Sequence, residues 1–68
     1  MVWWINMHGD RMKRLAVLKE IMRQERLKGT PLLSIRNILD KHMKTEGLSY
    51  NSRLDYLSVV IDEIEEDL

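Results

Sequence analysis

The sequence predicts an all-α domain of three helices, and three observations lead there. Glycine and proline are scarce, three and one in 68 residues, and each falls between segments of regular apolar spacing. Within those segments apolar residues recur at steps of three and four, the period of a helix with one buried face. No segment alternates with period two between turn residues; Val59-Val60-Ile61 is β-branched but lies inside a helical period. Gly9, Gly29-Thr30-Pro31 and Gly47 then divide the chain into helices over about residues 10–28, 31–46 and 51–67. Residues 1–9 read as an apolar extension ahead of a single domain over 10–68.

The first helix is expected to open at Asp10, whose carboxylate can accept an orphan backbone N–H just after Gly9. Leu15, Leu18 and Met22 give its apolar stripe, Ile21 and Met12 widen it, and Val17 lies off it. In the second helix Thr30 is the expected cap and Pro31 the first helical residue, where a missing N–H costs nothing. Its expected face is Leu32, Ile35, Ile38, Leu39, His42 and Met43, and Gly47 suits the left-handed position just past its end. The third helix has Ser52-Arg53-Leu54-Asp55 as a capping pattern, with Ser49 as a competing cap. Tyr50, Leu54, Leu57, Ile61, Ile64 and Leu68 follow at steps of four and three, with Val60 beside the stripe. This stripe is expected to be the seam that joins the three helices.

Size and composition limit what such a domain can do. A chain this short buries only about 60% of the surface its unfolded form exposes, which leaves a thin core and no room for a deep cofactor pocket. There is no cysteine, so neither a disulfide nor a thiolate metal site is available. His8 and His42 are far apart, and neither has a second ligand at zinc spacing. The glycines are isolated and form no phosphate loop. Adjacent carboxylates such as Glu65 and Glu66 point to different faces of a helix, and the serines lack a base or an oxyanion partner. The expectation is therefore a non-enzymatic binding module with no catalytic residues, metal, cofactor or small-molecule substrate. No stretch approaches the roughly 20 apolar residues of a membrane span. The short apolar opening Met1–Ile5 lacks the basic flank and length of a secretory signal. A cytoplasmic protein without membrane contact is expected.

The formal net charge is zero, but it is unevenly placed. Residues 1–36 carry eight basic and three acidic side chains, and residues 37–68 carry three basic and eight acidic ones. Two explanations stand side by side. Either one face steers an anionic partner, or the two halves complement each other inside the fold.

From Leu32 to Glu66 the order of elements resembles helix-turn-helix and winged-helix DNA-binding domains. The residues that carry the resemblance are Ile35, Ile38 and Leu39 in one helix, a turn through Gly47-Leu48-Ser49, and a helix opening Asn51-Ser52-Arg53-Leu54-Asp55-Tyr56-Leu57. In that family the second helix of the pair enters the major groove and its first residues touch base edges. The resemblance implies Ser49, Tyr50, Asn51, Ser52, Arg53 and, further along, Tyr56 as groove residues, with Arg53 suited to guanine and Asn51 to adenine. Lys41, Lys44, Lys13 and Arg14 would supply phosphate contacts. A second reading rests on apolar excess. Trp3 and Trp4 precede the first helix, and two adjacent Trp side chains do not both fit one small interior. With Tyr56 and Val60 they are candidate anchors for a protein partner or a homodimer, as in an accessory subunit of replication or transcription machinery.

Overall fold

The structure, a computed structural model, describes the backbone of residues 3–66 and the side chains of residues 10–63. It contains three helices, α1 (Trp3–Leu27), α2 (Leu32–Thr45) and α3 (Tyr50–Glu66), and no strand among the described residues. No helix among them is long and apolar enough to cross a membrane.

The joints follow from glycine. At the end of α1, Gly29 N–H donates to the Arg26 carbonyl and Thr30 N–H to the Glu25 carbonyl, with Gly29 at φ +83°. At the end of α2, Gly47 N–H donates to Lys44 and Leu48 N–H to Met43, with Gly47 at φ +87°. Both are Schellman motifs, in which a left-handed residue satisfies carbonyls that the helix leaves open. The second also turns Leu48 back onto the core, as the motif's apolar contact requires.

The starts of the helices differ from expectation in three places. Helix α1 begins at Trp3, so Gly9 lies within it and Asp10 is not its cap. A glycine inside a helix costs only about 1 kcal/mol against alanine and does not have to end one. Pro31 rather than Thr30 caps α2, and no side chain closes that end. The Thr30 hydroxyl donates instead to Glu25 Oε1 at 2.9 Å. Ser49, not Ser52, caps α3: its Oγ accepts the Ser52 N–H at 3.3 Å and its carbonyl accepts the Arg53 N–H at 3.0 Å.

Among the described residues seven side chains form the buried core: Leu18 and Met22 from α1, Ile35, Leu39 and Met43 from α2, and Leu57 and Val60 from α3. Leu15, Ile21, Leu48, Tyr56 and Ile61 pack around them. Helix α2 buries an i, i+4, i+8 stripe, leaving Leu32 and Ile38 at the margin and His42 half-buried. On α1, Met12 stands in solvent rather than widening the core face. The seam on α3 is rotated from the expected one. Val60 is fully buried, Leu54 is 38% exposed and Tyr50 is 65% exposed. The side chain of Ile64 and all of Leu68 lie outside the described residues.

Salt bridges tie α1 to the other two helices. Arg11 reaches Asp55 at 3.1 Å and Lys19 reaches Glu63 at 2.8 Å, each across a sequence separation of 44. Two pairs in the same register, eight residues apart on each helix, mean that α1 and α3 run parallel and in step. Arg14 meets Glu46 at the end of α2 at 3.9 Å. The basic and acidic halves thus face each other inside the fold.

The α1–α2 joint has a charged latch. Lys28 Nζ and the Thr30 hydroxyl donate to the two oxygens of the mostly covered Glu25 carboxylate. The Thr30 hydrogen bond, followed by those of Lys28, holds Glu25 below the ordinary glutamate pKa of 4.5. The fold favours the ionised form. Its stabilising contribution is complete above the unfolded-state pKa and is lost as pH falls through the lowered folded-state value. We expect Glu25→Gln to flatten the acid limb of the stability curve below pH 4.5 while leaving its neutral-to-alkaline limb parallel to wild type, as read by urea midpoints at stepped pH.

Candidate nucleic-acid interface

The joint between α2 and α3 brings together most of the residues suggested by the helix-turn-helix resemblance. After the Schellman turn at Gly47 the Ser49 cap starts α3 at once, so Tyr50, Asn51 and Ser52 make up its first turn, and all three are exposed. The Ser49 cap accepts the Ser52 N–H, while the first N–H groups of any helix have no intrahelical acceptor and face outward at its positive end. On α2, Lys41 and Lys44 stand one turn apart on the side opposite the buried Ile35–Leu39–Met43 stripe, and both are exposed. Lys13 borders a shallow groove of about 250 Å³ between α1 and the end of α2, shared with Val17, His42 and Glu46.

Arg53 is the main departure. Its Nε donates to Asp40 Oδ1 at 2.9 Å and its Nη1 to the Leu48 carbonyl at 2.8 Å. Its side chain is only 15% exposed, and its guanidinium lies over the Tyr50 ring at 5.8 Å. The cause is helical register. Arg53, Leu57 and Val60 share one face of α3, and that face looks at α2. Arg53 is therefore a clasp that fixes α3 against α2 and the turn. The spacing 53, 57, 60 was visible in the sequence and could have revealed this role. Removing the clasp strips two charge-assisted hydrogen bonds and leaves the Leu48 carbonyl with one fewer donor. We expect Arg53→Ala to cost about 1.5–3 kcal/mol of folding stability, measured by denaturant unfolding.

The remaining candidates fall into three groups. Arg14 is half-buried and engaged with Glu46, so it offers less charge to a ligand than Lys13 does. Two proposed protein anchors are withdrawn from the surface: Val60 is fully buried, and Tyr56 is partly buried under Arg11, whose guanidinium lies 5.0 Å from the ring centre. Trp3 and Trp4 belong to the first turn of α1, and their side chains lie outside those described.

The outward face of α3 itself is acidic and small, carrying Asn51, Asp55, Ser58 and Asp62, which does not suit close approach to phosphate. The uncompensated positive charge lies mostly on α2. Once the salt bridges within 4 Å are drawn, Lys13, Arg36, Lys41 and Lys44 have no acidic partner among the described residues. The described acids without a basic partner are Asp10 and Asp62. No group of three metal-ligating side chains occurs among the described residues. Comparison with protein-family models, characterised proteins and solved structures finds no match to this chain.

Proposed function

We propose that this chain is a non-enzymatic helical module that binds nucleic acid through the corner where α2 meets α3. It does so by contacting phosphates rather than by reading bases with Arg53. The observation that supports this most is the pair of lysines at positions 41 and 44, which are exposed and have no acidic partner among the described residues. Lys13 extends the basic margin, and Tyr50, Asn51 and Ser52 supply an aromatic face and polar groups at the start of α3. A tyrosine exposed beside lysines can stack on an unpaired base, and each of its neighbours can donate to a phosphate oxygen. The proposed setting is the cytoplasm.

A duplex and a single strand of mixed sequence, titrated separately at low salt, test this reading. We expect weak binding with little sequence preference. With three phosphates neutralised, the logarithm of the association constant should fall with the logarithm of salt at a slope of about −2.7 for the duplex, about a 40-fold loss between 50 and 200 mM, and about −2.1 for the single strand. An affinity indifferent to salt, or no binding to either form, would remove the proposal. The second reading is an accessory subunit that touches protein only, and Met12, Leu27 and Leu33, each at least 70% exposed, favour it. It is the one left standing if nucleic acid fails to bind.

A further inference from the structure

We infer that a second copy of this chain docks on the groove between α2 and α3, forming a two-fold symmetric dimer. The groove, of about 290 Å³, is lined by Leu54, Leu57 and Ile61, with Ser58 between them and Arg36 and Asp62 alongside. It runs along the margin of the core, where the α3 apolar stripe passes from the buried Leu57 to the exposed Leu54. Tyr50, Leu54, Leu57 and Ile61 repeat at the four- and three-residue steps of a coiled-coil seam. The core takes Leu57 together with Val60, Ile61 packs partly against it, and Leu54, seven residues before Ile61, is 38% exposed on the open side. Ser58 is small enough to let two helices approach closely there.

The charges select the occupant. Arg36 and Asp62 flank the same groove, and neither has an ion-pair partner among the described residues. A two-fold axis brings a patch against its own copy, so a residue that meets a given partner position is met by it in return. A second copy therefore sets Arg36 against the partner's Asp62 and Asp62 against the partner's Arg36 and neutralises both. No other occupant supplies both complements automatically. The apolar stripe provides the attraction, and the charge pairs fix the orientation. This surface is separate from Lys41 and Lys44, which stand on the far side of α2.

Sedimentation of the full chain over concentrations from about 1 µM to about 1 mM tests the proposal. A monomer–dimer equilibrium is expected. Arg36→Asp and Asp62→Arg should each weaken the dimer at least about tenfold, because like charges then face each other at both contacts. An equimolar mixture of the two variants should recover dimers, since each chain then meets the opposite charge at both positions. Circular dichroism of each variant checks that the helices persist, as both side chains are exposed. A wild-type chain that stays monomeric throughout, a dimer indifferent to both reversals, or a mixture that fails to recover would each overturn the inference.

Discussion

Replacing Leu39 with alanine should come close to unfolding this protein. Leu39 is fully buried at the middle of the α2 stripe, among the seven side chains that form the described core. Truncating a buried leucine costs about 2–5 kcal/mol, because the cavity adds to the lost transfer energy. At about 0.05–0.15 kcal/mol per residue, the whole domain has a stability on the order of 3–10 kcal/mol. A loss near 3 kcal/mol should lower the melting temperature by about 12 °C or more. Leu33→Ala, on the same helix but off its core face and 70% exposed, should stay within about 0.5 kcal/mol of wild type. Thermal and urea unfolding of the two variants side by side check the contrast.

The largest functional effect is expected from Lys41 and Lys44 together. If these two carry two of the three phosphate contacts, changing both to alanine removes about 1.8 from the salt slope and leaves about −0.9. Between 50 and 200 mM salt, wild-type affinity then falls about 40-fold and that of the variant only about fourfold. Both side chains are exposed and make no ion pair with the described residues, so the substitution should leave the melting temperature nearly unchanged. The variant thus separates binding from folding, which Arg53→Ala does not. An unchanged slope would move the contacts away from α2.

The sequence makes the three-helix fold and the second helix legible, because punctuation and periodicity agree there. Gly29 and Gly47 sit at left-handed positions that glycine adopts cheaply. The start of α1 is not legible, because Gly9 resembles the other two glycines in sequence yet is tolerated inside a 25-residue helix. The α3 seam was only partly legible for a different reason. Two apolar stripes overlap on that helix, one through Leu54 and Ile61 and one through Val60, and they share Leu57. Which stripe meets the chain's own core depends on where α1 and α2 approach, and helical period alone does not contain that.

The candidate site was legible as composition but not as geometry. Asn51, Ser52, Tyr50, Lys41 and Lys44 are exposed at the two helices that flank the α2–α3 turn. Arg53, the most informative residue in the helix-turn-helix comparison, is held by Asp40 and the Leu48 carbonyl. An arginine at the start of a helix reads as a ligand contact unless its position relative to the buried stripe is also weighed. The separated charge resolves in the same physical terms. Arg11, Arg14 and Lys19 meet acids across helix interfaces, and much of the apparent steering field is internal complementarity.

Amide chemical shifts recorded as an unlabelled DNA duplex and, separately, an unlabelled single strand are added to the isotopically labelled chain at low salt test the central claim most directly. The account predicts the largest changes at residues 41, 44 and 50–52, a smaller one at Lys13, and little at Ile21 and Met22 inside α1. Changes centred on α1, or a spectrum that does not move, would contradict it.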